Sequence, residues 1–373
     1  MQRPPIAPSD VASGVPFTAA TAPGWVVPAF YNHSVHAAPD LTADHGLSAT
    51  PGTADGEPDL VAADMAEVDA VIRLRLTSDV ALVNQIANYI INAGGKRIRP
   101  RLVLLFSRAL GFKGPERFTL AAIVEFIHTA TLLHDDVVDE SSLRRGRDTA
   151  NALFGNSASV LVGDFLYSRA FQMMVSLERM RVLDVLADAT NVIAEGEVLQ
   201  LMNMHDPDLA VGDYLRVIRF KTAKLFEASA RLGAVLADAS TAMEEDCATY
   251  GRSLGTAFQL IDDLLDYEGD TAALGKNVGD DLREGKPTLP LLIAMERSAG
   301  AERDLIRHAI IHGEVERLRE IVQIVRRTGA IDATREAARM EAEKARNALA
   351  SLADSVEQRA LLDLTIRSVD RSS

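Results

Sequence analysis

Two acidic pentads of the form Asp-Asp-x-x-Asp hold the side chains in this sequence best placed to do chemistry. Asp135-Asp136-Val137-Val138-Asp139 follows Leu132-Leu133-His134, and Asp262-Asp263-Leu264-Leu265-Asp266 follows Leu260-Ile261. Both lie in apolar sequence of helical texture. Residues four apart share a helix face, so Asp135 points with Asp139, and Asp262 with Asp266. Carboxylates crowded on half-buried helices repel one another and lose hydration, so they require cations. Hard divalent metal suits such donors, with an anionic substrate completing its shell.

Basic residues of the right kind recur around these pentads. Gly94-Gly95-Lys96-Arg97-Ile98-Arg99-Pro100 reads as the opening of a helix. Lys96 and Arg99, three apart, share a face near its positive end and suit a phosphate. Alone, the segment reads equally as a basic cap on a solvated helix. Arg144 and Arg145 follow the first pentad; they read as surface ion pairs or as forks for diphosphate oxygens. His128 lies two turns before Asp135 and reads as a core histidine or a ligand-facing one. Lys221-Thr222 sits mid-helix, and Gln259 lies one turn before Asp262. Lys276 and Lys286 bracket a loop with Asp280 and Asp281. Together these make two acidic walls with Lys and Arg between and around them. A metal-bridged diphosphate satisfies both signs of charge.

The elements that must carry these residues are helices. The chain has 373 residues, 47% hydrophobic and only 5% aromatic. Ala and Leu dominate, with little strand-like alternation, which predicts an all-α protein. A net charge of −14 argues against a general nucleic-acid binder. The single cysteine, Cys247, excludes a disulfide framework and fits a reducing, cytoplasmic setting. The best candidate membrane span, around Val160 to Val175, carries Asp164 and Arg169, so no span is expected.

Residues 1–58 differ from the rest. They are rich in Pro, Ala, Thr, Asp and Gly, and Arg3 is their only Lys or Arg. They lack the pattern of a signal peptide or presequence and read as a disordered extension. A short recognition segment built on Trp25 and Phe30 is the alternative. From about Leu60 long helical patterns begin, with breaks at Gly94-Gly95, Gly111 to Pro115, Gly146 to Asn156, His205 to Gly212, Gly275 to Pro290 and near Gly300. No strong boundary divides residues 59–373, which read as one domain.

The segments GGKRIRP, EFIHTATLLHDDVVDESSLRRG, SVLVGDF, AEGEVLQL, KTAKLFEAS, GTAFQLIDDLLDY and GKNVGDDLREGKPTLPLL resemble the trans-type (all-E) polyprenyl diphosphate synthases, the bacterial octaprenyl synthases most closely. The resemblance covers residues 60 to about 370. It implies an isoprenoid-synthase-type bundle of long helices around a central cavity, acting as a homodimer. It also implies a magnesium-dependent prenyltransferase that lengthens an allylic diphosphate, such as farnesyl diphosphate, with isopentenyl diphosphate. The expected product is a long all-trans chain, most closely octaprenyl, of the kind that supplies a quinone side chain and resides in membranes.

Carried onto this sequence, the resemblance makes Asp135, Asp139, Asp262 and Asp266 the ligands of about three magnesium ions. Arg144, Lys221, Thr222, Gln259, Lys276 and Lys286 would contact the allylic diphosphate. Lys96, Arg99, His128 and Arg145 would hold isopentenyl diphosphate; Arg97 belongs to the motif without a clear role. Cationic groups would stabilise diphosphate as it leaves, and the allylic cation would be attacked by the isopentenyl double bond in a water-free site. The family blocks growth with aromatic residues four and five positions before the first Asp. Here those positions are Thr131 and Ala130, both small. Ile127 and Ile123 lie further down that face, with Met173, Met174 and Leu186 as opposite wall and floor, although the Met residues read equally as core. A terpene cyclase is disfavoured by the second pentad and the intact GGKR, and a non-catalytic subunit by the retained aspartates.

Overall fold

The computed structural model describes residues 59–91, 94–144, 146–268 and 279–371. The expectations for residues 1–58, Arg145 and Lys276 therefore lie outside the described residues. The described chain is helical apart from a two-residue hairpin, β1 Leu143–Arg144 paired with β2 Arg147–Asp148. The helices are α1 Ala62–Leu76, α2 Ala81–Ile91, α3 Ile98–Ala109, α4 Glu116–Val138, α5 Ala150–Phe154, α6 Asn156–Ser176, α7 Met180–Asn203, α8 Val211–Ile218, α9 Lys224–Leu236 and α10 Thr241–Glu268. They continue with α11 Asp280–Arg283, α12 Leu289–Arg297, α13 Ala301–His312, α14 Leu318–Arg327, α15 Ala330–Ala348 and α16 Val356–Val369. A π-helical turn, Arg219–Ala223, joins α8 to α9.

Burial explains why the long helices form. α4 buries Leu120, Ile123, Val124, Ile127 and Ala130 along one side, the three-to-four spacing that drives a helix onto a core. Its 23 residues span about 35 Å. α4 packs on α6 and α3, while α10 packs on α15 and α9. α10 serves two cores. Its first half, with Cys247, Tyr250 and Leu254, joins the core of α1–α7 and α9. Its second half, from Ala257 to Tyr267, joins the core of α8 and α12–α15. The second pentad thus sits on the element both cores hold.

The π turn is wedged between α7 and α10. A Cβ on Gly196 would lie 2.6 Å from the Lys221 amide nitrogen, and one on Gly255 would lie 2.7 Å from Ala223 Cα. Only glycine permits that closeness on both sides. Single π turns of this kind frequently mark functional sites. The sequence pattern placed Lys221 and Thr222 in an unbroken helix; the extra residue in the turn was not visible in the periodicity.

Candidate active site

Both pentads occupy C-terminal helix ends. The first forms the last turn of α4 and its C-cap, and the second lies near the end of α10. The helix dipole is negative there, so each carboxylate is disfavoured by about 0.3–1 kcal/mol where exposed. Cationic side chains offset part of this. Lys221 Nζ lies 3.6 Å from Asp135 and 2.6 Å from Glu197. Lys286 Nζ lies 3.0 Å from Asp139 and also pairs with Glu284. Burial pulls both ammonium groups down, but the facing carboxylates outweigh it and hold them above the usual lysine range.

Asp136, the middle residue of the first pentad, is fully buried. Arg144 donates to its Oδ1 from Nε at 2.8 Å and Nη2 lies 2.7 Å away. The hairpin β1–β2 is what turns Arg144 back onto α4. Asp136 Oδ2 has no hydrogen-bond partner. Burial, opposed by Arg144 but reinforced by Asp135 and Asp139, raises its pKa.

The residues Lys221 and Thr222 tie the two walls together. Lys221 faces the first pentad, while Thr222 Oγ1 donates to Gln259 Oε1 at 3.0 Å. Gln259 Nε2 in turn donates to Asp263 Oδ1 at 2.7 Å. Adjacent residues of one turn thus reach both pentads, the cation Lys221 the first and the neutral Thr222, through Gln259, the second. Asp262 is the most exposed of its pentad and has Arg371 at 3.6 Å. Asp266 is placed differently. Its oxygens accept the Gly279 and Asp281 amides at 3.1 and 3.2 Å, anchoring the start of α11.

Arg99 Nη1 lies 3.1 Å from His128 Nε2 and its guanidinium stacks 4.4 Å over Phe226. Phe226 packs on Phe258 at 5.5 Å, and Arg371 covers Phe258 at 4.0 Å. The α3 start differs from the sequence expectation. Arg97 adopts φ 45° at the N-cap, so the helix begins at Ile98 and Lys96 lies on the preceding loop, exposed. Lys96 and Arg99 thus do not share a helix face. Arg97 pairs with Asp69 and lies 3.8 Å from Glu125, a structural role.

Ala130 on α4, Met174 on α6 and Leu186 on α7 are all buried in one apolar core. Thr131 is half-buried, and its hydroxyl donates to the His128 carbonyl at 2.8 Å. Sequence reasoning missed Glu197, Glu284, Tyr214 and Arg371. Glu197 lay within AEGEVLQL, beside the glycine that lets α7 approach Lys221, and that neighbour was the available signal. Burial pushes Glu197 up to about 7, with Lys221 opposing and Asp135 adding to it.

The donor set fits magnesium. Its donors are hard carboxylate oxygens, and Asp136 adds one buried oxygen without a partner. Magnesium takes one or two carboxylates together with substrate phosphates and water. Among the described residues, no three His, Cys, Asp or Glu side chains are grouped to hold an ion by themselves. No helix among them is long and apolar enough to cross a membrane.

The chain is similar to known proteins over most of its length. Residues 80–325 match the family described as Polyprenyl synthetase. The octaprenyl diphosphate synthase of Escherichia coli is 55% identical over 314 residues, covering 84% of this chain and 97% of that protein. The all-trans-nonaprenyl-diphosphate synthase (geranyl-diphosphate specific) of Rhodobacter capsulatus is 47% identical over 314 residues, covering 83% and 96%. A polyprenyl synthase of Caulobacter crescentus, solved with calcium and isoprenyl diphosphate, superposes with a TM-score of 0.82 at 48% identity, covering 84% and 96%.

Proposed function

The chain belongs to the polyprenyl synthetase family and is a prenyltransferase making long all-trans polyprenyl diphosphates; we propose that its product is octaprenyl diphosphate, built on farnesyl diphosphate with isopentenyl diphosphate. One observation carries the site assignment. Lys221 and Thr222, side by side in the π turn, connect the first pentad to Gln259 and the second. A diphosphate between the walls meets Lys221, Lys286, Arg144, Thr222 and Gln259, with Lys276 completing the set. Arg99, His128, Lys96 and Arg145 take the isopentenyl diphosphate.

The protein's residues divide the work by charge. Asp135, Asp139 and Asp262, with Asp266 behind them, hold the cations. Divalent metal, about three magnesium ions, supplies Lewis-acid stabilisation of the diphosphate when bound. Lys221, Lys286 and Arg144 spread the charge that develops as the allylic C1–O bond breaks. Arg99 and His128 hold the isopentenyl diphosphate by its phosphates, with its double bond toward C1. The proton lost from the condensed product goes to the departing diphosphate. The apolar core below Ala130 keeps water from the allylic cation and receives the growing tail.

We read residues 59–373 as a single catalytic domain of a cytoplasmic homodimer. Leu161 and Val175 on α6, and Met180, Val198, Leu201 and Met202 on α7, are exposed apolar residues that a second copy would cover. Residues 1–58 are read as an extension outside the catalytic domain. Removing residues 1–57 is expected to leave turnover and melting temperature unchanged; a large fall in either shows that this segment packs on the domain.

The test of function is direct. Purified protein incubated with farnesyl diphosphate, radiolabelled isopentenyl diphosphate and magnesium is expected to yield octaprenol after dephosphorylation, as read by chromatography. Cyclic hydrocarbons or no elongation would overturn the reading; a nonaprenyl or decaprenyl product would overturn the octaprenyl assignment alone.

A further inference from the structure

A buried polar chain behind the second pentad begins at two residues, Tyr214 and Asp263, with no part in the chemistry described so far. Tyr214, on α8, donates its hydroxyl to Asp263 Oδ2 at 2.5 Å. Asp263 Oδ1 accepts Gln259 Nε2 at 2.7 Å, and Gln259 Oε1 accepts Thr222 Oγ1 at 3.0 Å. Tyr214 and Asp263 are 4% and 5% exposed, so neither reaches a substrate between the pentads. The chain joins three separate elements, α8, α10 and the π turn, and it ends on two residues assigned to the allylic diphosphate.

Hydrogen-bond chemistry gives this chain a direction. Asp263 accepts the Tyr214 hydroxyl on Oδ2 and leaves Oδ1 to Gln259, whose amide has a donating end and an accepting end. With Asp263 at 2.7 Å, the donating nitrogen of Gln259 must face it. The reversed amide would set its oxygen against an Asp263 oxygen that accepts, leaving a buried polar group unsatisfied. In the fixed orientation Gln259 keeps one N–H uncommitted, and its carbonyl is taken by Thr222. An anionic diphosphate can be bound by that N–H and is repelled by the carbonyl. The Tyr214 hydroxyl locks the carboxylate that sets the amide. Burial and then Asp263 raise the Tyr214 pKa well above the usual range, so the hydroxyl keeps its proton and remains a donor.

We propose that Tyr214 and Asp263 are positioning residues for the allylic diphosphate, acting by fixing the amide of Gln259 with its nitrogen rather than its oxygen available to the anion. The inference rests on the functional reading above. It differs from the metal role of the neighbouring Asp262, because Asp263 is buried and bonded to Tyr214 on α8.

The test is a set of double-mutant cycles on the full chain, read by steady-state kinetics and by calorimetric titration of farnesyl diphosphate with magnesium. Tyr214→Phe and Asp263→Asn are each expected to raise the KM and Kd for farnesyl diphosphate roughly tenfold, the size of one hydrogen bond to a charged group. The KM for isopentenyl diphosphate and the magnesium concentration for half-maximal rate should change less than about twofold on the same argument. In a Gln259→Ala background the same two substitutions should change allylic affinity little, since no amide remains to be oriented. Tyr214→Phe removes only a hydroxyl and keeps the ring packed, so it tests the idea even where Asp263→Asn fails to fold. An unchanged allylic Kd in Tyr214→Phe overturns the proposal. So does an equal loss with and without the Gln259 amide, or a shift confined to the magnesium dependence. Absence of condensation by the wild-type protein would instead overturn the functional reading, while the farnesyl diphosphate titration would still report on the positioning.

Discussion

Asp135→Ala or Asp262→Ala is expected to lower condensation by roughly a thousandfold or more while leaving the protein folded. Metal stabilisation of the leaving diphosphate is worth several kcal/mol, and about 1.4 kcal/mol is a factor of ten in rate. Neither substitution strands a buried charge. Without Asp135, Lys221 retains Glu197 at 2.6 Å. Without Asp262, Arg371 keeps its bond to the Phe258 carbonyl at 3.1 Å and its stacking on the Phe258 ring. Each change also relieves repulsion among neighbouring carboxylates at a negative helix end. Melting temperature should therefore hold or rise. Product formation at saturating magnesium and thermal unfolding together check the expectation. Near-wild-type turnover in either variant would remove the pentads from the mechanism.

Asp136 carries the opposite expectation for stability, and the contrast shows why position within a pentad matters. It is fully buried and is the carboxylate that holds Arg144 against α4. Removing it leaves a half-buried guanidinium without that partner. The pentad as a sequence pattern does not distinguish Asp135 from Asp136, since both are aspartates on one helix. Only the return of the chain through the β1–β2 hairpin makes the second a structural anchor.

Much of the site was legible because it is local. Asp135 with Asp139, and Gln259 with Asp262, are one helical turn apart, and periodicity alone places each pair on one face. The all-α class followed from composition for the same reason. What was hidden is long-range or non-periodic. Lys286 meets Asp139 across 147 residues, and no local pattern encodes that pairing. Lys221 reaches Asp135 because a π turn shifts the register between α8 and α9. Lys96 fell outside α3 because Arg97 takes a left-handed backbone conformation that helical periodicity does not anticipate. Asp266 resembles Asp262 in sequence, yet its oxygens are engaged by the Gly279 and Asp281 amides. Tyr214 and Arg371 look unremarkable because their partners lie on distant segments. The functional site is thus readable where one helix carries it, and needs the fold where two helices must meet.

Ala130→Tyr is expected to convert a long-chain synthase into one that stops at farnesyl or geranylgeranyl length. Ala130 is fully buried on α4 about one turn before the first pentad, in the core that also holds Met174 and Leu186. A growing chain must pass that level, and each added prenyl unit is about as long as one helix turn of ~5.4 Å. A phenol ring there blocks the passage after the first condensations, while Asp135, Asp139 and Lys221 are untouched. Chemistry therefore continues and only termination moves. Overpacking costs about 1–3 kcal/mol, which two extensive cores joined through α10 can absorb. Chain length of the dephosphorylated product, measured beside total isopentenyl incorporation, separates blocked growth from impaired catalysis. A folded, active variant that still makes the wild-type length would place Ala130 in the packed core and off the path of the tail.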